Sequence, residues 1–347
     1  MSKHIIECVP NISEGRDLDK INRIVDAARL PGTTILGIEP DPDYNRTVIT
    51  FAGSLEAVEE AAYNLIRKAI FEIDMREHSG EHPRMGCVDV CPFIPISNST
   101  IEDCVEIAKR VAKKVGEQED VPVFLYGFAA ENPERELLST LRKGEYEGLE
   151  DRFNDTTEIH TNSTRLPDIG PVLWDERTQK SGAITIGARD ILIAYNVNID
   201  DDDPYIARQI GSIVRSSGRL IKSSDGERKF RTHGLLTDVQ GMGVPLESHN
   251  ISQVSMNLQN YRKTNLHHAF DTIDSLCKNM RGSTKGSELV GLVPLDAIVQ
   301  SGMWYAGEGL SEQEYIKIAI EKLGLDSLAP FDPNNRIIEL ALKGEGL

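Results

Sequence analysis

No run of about 18 consecutive apolar residues occurs anywhere in the 347-residue sequence, so no membrane-spanning helix is predicted. Cations are scarce: 38 Lys and Arg stand against 55 Asp and Glu, a net charge of −17. That balance argues against nucleic acid or an anionic membrane as a partner, and any anionic ligand must be held by local arginines. The five cysteines, at 8, 87, 91, 104 and 277, are an odd and scattered set that reads as reduced thiols rather than a disulfide framework. The first residues carry only a short apolar segment ending at Pro10, which does not read as a signal sequence, so cytoplasmic residence is the expectation. Gly-x-Ser-x-Gly is missing, and Gly241 and Gly243 belong to no dinucleotide fingerprint; a serine hydrolase and a nicotinamide enzyme are both unsupported. The acidic run Asp200 to Asp203 does not match an EF-hand and suits a helix cap facing water.

What is present is globular in composition, 39% hydrophobic and 27% charged, in a length that suits two domains. Strand-like runs at 5–9, 33–38, 47–51, 88–94 and 121–125 alternate with helical patterns at 17–30, from Ser54, and from Thr100. Ser54 is an N-cap candidate ahead of the stripe Leu55, Val58, Ala62, Leu65, Ile66, Ala69 and Ile73, and Thr100 with Asp103 forms a capping box ahead of Ile101, Cys104, Val105, Ala108, Val111 and Ala112. The order βαββαβαβ predicts a ferredoxin-like unit with helices on one face of a largely antiparallel sheet. Residues 144–182 lack a sustained period, as functional segments often do. Strand-like runs at 183–187, 191–197, 235–244 and 251–257, with helical patterns at 204–217, 265–277 and 311–323, imply a second α/β unit.

The densest chemistry lies in EHSGEHPRMG, residues 77–86. Its H-x-x-E-H spelling needs a continuous helix to bind zinc, and Gly80 and Pro83 deny it one. Cys87 and Cys91 do not supply a site either, because residues four apart on a strand stand about 13 Å from each other. His82 is left on a loop between helix and strand, able to exchange protons near neutral pH or else to cap and pack. Asn45-Arg46 could hold an anion or close a turn.

Read together, ECVPNISEG (7–15), NRTV (45–48), IDM (73–75), GEHPRMG (80–86), DVCPFIP (89–95), DVPVFLYG (120–127), GEYEGL (144–149), Pro167-Asp168, Gly170-Pro171, GAR (187–189) followed by LIAYNVN, QVSMNL (253–258) and ELVGLVP (288–294) resemble the formiminotransferase family. The resemblance covers the chain through about residue 330 and implies an α/β (α+β) fold of two ferredoxin-like subdomains whose mainly antiparallel sheets face a central folate tunnel. It implies an N-terminal subdomain over 1–180, a C-terminal one over 181–330, and a tail helix over 331–347. Transfer of the formimino group from N-formimino-L-glutamate to tetrahydrofolate, in histidine degradation, is the implied activity, with tetrahydrofolate as co-substrate and no metal. The alternatives are formyl transfer, from N-formylglutamate or 5-formyltetrahydrofolate, and a non-catalytic folate-binding protein.

His82 falls on the family's catalytic histidine, and the family's folate-contacting loop falls on 170–182, including Gly170, Pro171, Val172, Leu173, Trp174, Lys180, Ser181 and Gly182. Glu39, where animal members carry Asp, keeps a carboxylate that could assist the histidine; Asp168 and Asn45 lie in matching motifs. Arg46, Arg84 and Arg189 are the cations expected for the donor's carboxylates. Asp190 stands where the family usually has a basic residue, and the 170–182 loop is longer and more charged than in animal members. Animal members fuse the transferase to a cyclodeaminase; this chain resembles a free-standing transferase, for which the resemblance implies a homodimer and allows a separate cyclodeaminase.

Overall fold

Pro10 has no N–H to give a ladder, and the first strand breaks there into β1 (Ile5–Cys8) and β2 (Asn11–Ile12). Both pieces lie between the same two strands in the computed structural model, which describes residues 4–42, 44–80, 83–154, 164–223 and 228–344. Along the chain follow α1 (Leu18–Asp26), β3 (Thr33–Asp41), β4 (Arg46–Gly53), α2 (Leu55–Glu72), β5 (Val88–Ser97), α3 (Ile101–Gln118), β6 (Val123–Gly127), three short helices α4 (Leu138–Leu141), α5 (Leu149–Asn154) and α6 (Glu176–Ser181), and β7 (Ile184–Ala188). The chain divides into two compact units after Asp190.

In the first unit the helix starts follow the sequence. Ser54 Oγ accepts from Ala57 N–H at 3.3 Å, and Thr100 and Asp103 exchange the two bonds of a capping box at 2.8 and 3.2 Å. The predicted stripes of α2 and α3 are buried, among them Leu65, Ile66, Cys104 and Val111, save for the half-buried Leu55, Ile101 and Val105, on a sheet face formed by Ile6, Ile49, Phe51 and Phe93. Each fully buried Leu or Ile contributes about 1.5–3 kcal/mol. The other face carries Val90, Phe124 and Tyr126 beneath Leu141, Leu149 and Phe153 of α4 and α5. Strands β1 to β4 pair antiparallel, but β7 inserts parallel between β5 and β6. Residues 183–187, expected to open the second subdomain at 181, therefore complete the first sheet.

The second unit runs β8 (Ile193–Ile199), α7 (Tyr205–Val214), β9 (Leu220–Lys222), β10 (Lys229–Arg231), β11 (Val239–Leu246), β12 (Ile251–Leu258), α8 (Leu266–Asn279), β13 (Thr284–Val290), α9 (Leu295–Ala306), α10 (Glu312–Leu323), α11 (Pro333–Arg336) and α12 (Ile338–Gly344). Its main sheet is antiparallel throughout, in the order β11-β12-β8-β13. Gly243 gives α7 its seat on β11, since a Cβ there would fall 2.0 Å from Arg208 N. The expected tail helix is two short helices, with Ile337, Ile338 and Leu342 buried. Among the described residues no helix is long and apolar enough to cross a membrane.

Candidate functional site

The turn between β3 and β4 places Asn45 at φ 49°, a left-handed conformation that asparagine tolerates. From there Asn45 fastens two other segments. Its Oδ1 accepts from Gly15 N–H at 3.0 Å, its Nδ2 donates to Ser79 O at 2.8 Å, and its backbone carbonyl meets His78 Nε2 at 2.9 Å. The approach is close enough to require glycine: a Cβ on Gly80 would sit 2.4 Å from Tyr44 O, and one on Gly15 would sit 2.1 Å from Asp41 O. Residues 78–80 are thus pinned to the β3–β4 turn.

Four residues further on, Arg84 is buried, and its guanidinium reaches His78 Nδ1 at 3.3 Å, Glu145 at 3.3 Å and both oxygens of Glu147 at 2.8 and 2.6 Å. Burial opposes this charge, and the carboxylates of Glu147 and Glu145 outweigh it, so the guanidinium titrates above its ordinary value. Glu147, held by Arg84, is pulled below the usual carboxylate range. Tyr146 N–H donates to Arg84 O at 2.8 Å, and the Tyr146 ring packs 5.6 Å from Trp174. Met85 N–H donates to Asp89 at 3.1 Å, Asp89 is ion-paired with Arg142, and Ser13 Oγ donates to Gly86 O at 2.7 Å. His82, the expected proton-transfer residue, and Glu81 lie outside the described residues. The chain on both sides of them is fastened.

The other expected site residues are spread across the first unit. Arg46 donates to Asn11 Oδ1 at 3.3 Å, while Glu39 is exposed on β3 opposite Val48. Strand alternation puts Glu39, Arg46 and Asn11 on the sheet face away from α1–α3. In the 170–182 segment, Pro171 is half-buried and Val172 and Leu173 are exposed, whereas Trp174 packs on Tyr146. Lys180 Nζ donates to Phe71 O at 2.9 Å, and Ser181 is buried with its carbonyl accepting Cys87 N–H at 2.7 Å. Gly170 (φ 90°) and Gly182 (φ 65°) have left-handed backbones, and Gly182 bridges Gly86. Asp168 accepts from Leu125 N–H at 2.7 Å and is ion-paired with Arg135. Arg189 donates to Asp190 O at 3.0 Å.

Sequence reasoning missed the part played by Glu145, Glu147 and His78. Its available signal was GEYEGL, a pair of acids around a tyrosine in an otherwise irregular stretch. The arrangement offers a neutral imidazole and a neutralised guanidinium as a frame for the 80–86 loop, with Arg46 and Asn11 on the neighbouring sheet face.

Residues 5–189 match the formiminotransferase domain, N-terminal subdomain, and residues 194–343 match the formiminotransferase domain. The chain is 37% identical over 303 residues to a glutamate formimidoyltransferase of Streptococcus pyogenes, covering 87% of this chain and 93% of that one. It is 37% identical over 320 residues to a glutamate formimidoyltransferase of Thermoplasma acidophilum, covering 92% and 98%. A formimidoyltransferase-cyclodeaminase of Dictyostelium discoideum is 41% identical over 340 residues, 96% of this chain and 60% of that longer protein. The chain thus spans about 60% of the length of that relative.

Proposed function

The chain belongs to the formiminotransferase family, and from that membership we propose that it transfers the formimino group of N-formimino-L-glutamate to tetrahydrofolate, giving 5-formiminotetrahydrofolate and L-glutamate. The observation that carries this reading to the site is the loop 80–86, tied by Asn45 on one side of residue 82 and by Arg84 with Glu147 on the other. Both described flanks of residues 81–82 are thus held in place, and proton transfer at a fixed distance demands fixed surroundings.

In the reaction the secondary ring amine of tetrahydrofolate attacks the amidine carbon, a new C–N bond forms, and the C–N bond to glutamate breaks. The attacking nitrogen gives up one proton and the departing glutamate nitrogen takes one. His82 serves both transfers, with Glu39 assisting, and Arg46 and Arg189 meet the donor's carboxylates. The 170–182 loop, with Trp174 packed on Tyr146, contributes the folate contacts. We place the enzyme in histidine degradation, as a cytoplasmic homodimer that can work beside a separate cyclodeaminase.

Absorbance-monitored formation of 5-formiminotetrahydrofolate, run with both substrates and with each omitted, tests the proposal. Product that forms only when both are present supports it. Formiminoglutamate consumed equally fast without tetrahydrofolate marks a hydrolase and overturns it.

A further inference from the structure

Strands β9 and β10 of the second unit form a sheet of their own. They pair antiparallel, with Leu220 opposite Arg231, Ile221 opposite Phe230 and Lys222 opposite Lys229, and among the described residues no third strand joins them. The ribbon is fastened at its base, where Thr232 N–H donates to Arg219 O at 3.0 Å, Arg231 Nη1 to Ser217 O at 2.9 Å, and Leu235 N–H to Ile213 O of α7 at 3.0 Å. Beyond the base all six paired residues are exposed.

Strand alternation gives this ribbon a cationic face, with Lys222, Lys229 and Arg231 around Leu220, and an apolar pair, Ile221 and Phe230, on the other side. Ser223 N–H bonds Arg228 O, which puts the next pair, Lys222 and Lys229, in the non-hydrogen-bonded register, where Cα atoms stand only about 4.5 Å apart. Like charges directly opposite destabilise a strand pair, and a two-stranded ribbon is marginal in water to begin with. Nothing nearby offsets the repulsion. The ion pairs of the second unit lie at Lys263–Asp238, Lys278–Asp274 and Lys285–Asp200, and among the described residues none reaches Lys222, Arg228, Lys229 or Arg231. Lysines on an edge strand guard against stray strand pairing, but guarding needs no exposed apolar side chains, and Leu220, Ile221 and Phe230 are 52, 42 and 54% exposed.

A ribbon that breaks local rules on both faces is built for something that covers it. Six of the chain's 38 Lys and Arg, and two of its 55 Asp and Glu, fall within residues 215–233, so this is a basic patch on a chain of net charge −17. Two such chains repel, and contact between them is favoured where one brings cations to the acidic surface of the other.

We propose that the β9–β10 ribbon is an arm that grips a second copy of this chain, its cationic face on the acidic surface of that copy and the Ile221–Phe230 pair covered in the same contact. A twofold axis makes the contact reciprocal, one arm from each copy. The inference deepens the homodimer proposed above by naming its surface.

Sedimentation velocity of the full chain tests it at about 0.05 and about 0.5 M salt, a range over which exposed charges become screened. The wild type should be a dimer at the lower salt, with a dissociation constant that rises tenfold or more at the higher. Lys222→Glu with Lys229→Glu should raise that constant tenfold or more at the lower salt, with an unchanged circular dichroism spectrum. Ile221→Ser with Phe230→Ser is the second pair and should do the same if the first does not fold. A wild-type dimer indifferent to whichever pair folds overturns the inference and leaves the homodimer standing on another surface. A wild-type monomer overturns both, and ribbon-dependent binding of that monomer to phosphatidylserine vesicles or to a short RNA duplex would give the ribbon a different occupant. Turnover is read separately: an inactive wild-type protein that still dimerises through the ribbon defeats the proposed reaction and supports the inference.

Discussion

Arg84 Nε lies 3.3 Å from His78 Nδ1, and because a guanidinium has only donors, that ring nitrogen is the unprotonated one. The proton of His78 accordingly sits on Nε2 and is donated to Asn45 O at 2.9 Å. Burial drives the His78 pKa down, and the Arg84 charge adds to that against the opposing pull of the Asn45 carbonyl. His78 is therefore a neutral strut joining the β3–β4 turn to the 84–86 segment, with neither nitrogen free for proton transfer.

Removing that strut should loosen the loop without removing its chemistry. His78→Ala leaves the Asn45 carbonyl and one Arg84 N–H without their partner, a cost of about 1–3 kcal/mol in urea unfolding. A drop in kcat of roughly tenfold should accompany it, which corresponds to about 1.4 kcal/mol in the barrier. His78→Gln, able to accept and donate at once, should recover part of both losses.

His82→Ala should behave differently. General acid–base catalysis contributes roughly 10²–10⁴-fold, so kcat should fall by that factor while tetrahydrofolate binding, measured by calorimetry, stays within about threefold of wild type. Lost binding with intact turnover per bound substrate would contradict the proton-transfer role.

Gly182 has φ 65°, and a Cβ there would sit 2.3 Å from Met85 O. Gly182→Ala should therefore cost more than the roughly 1–3 kcal/mol of backbone strain alone, because the β7 approach to the 85–86 segment must open. A reduced denaturant midpoint together with a lowered kcat would show that stability and loop placement share this contact; an unchanged midpoint would refute it.

In the second unit His267 is 4% exposed, lies 3.1 Å from Ser301 Oγ and stacks on Trp304, with His268 and Asp271 as its titratable neighbours. Burial, reinforced by His268 and opposed by Asp271, lowers its pKa to about 4. The unfolded chain takes up this proton near pH 6.5, the folded one only near 4, so between those values the unfolded state binds more protons. Stability should be fully present above about pH 6.5 and fall as pH drops toward 4, by at most about 3 kcal/mol from this group. Unfolding curves at pH 7.5 and 5 should converge in His267→Gln relative to wild type.

Long periodic elements were legible in the sequence for a physical reason. In α2 and α3, 18 residues each, a capped start and several turns of one buried stripe agree with one another. Short apolar runs carry no such redundancy. The run that became β7 has the composition of a buried strand, but nothing within five residues names its partners, and it joined the preceding sheet. The strand β13, TKGSELV, has too little apolar alternation to stand out, and α9 was missed with it. At the site, the 77–86 segment drew notice through its glycines and histidines. Its brace did not, because Arg84 and Glu147 are 63 residues apart and only the fold makes them neighbours.

Strand β7 is an inner strand, one in from the edge of its sheet, yet comes last along the chain of the first unit, wedged between β5 and β6. During synthesis those two strands must wait with open parallel edges until Ala188 has left the ribosome, so the first unit cannot seal itself earlier. A fragment cut at residue 180 would keep those edges bare and should aggregate, whereas one extended through Asp190 carries its own closing strand.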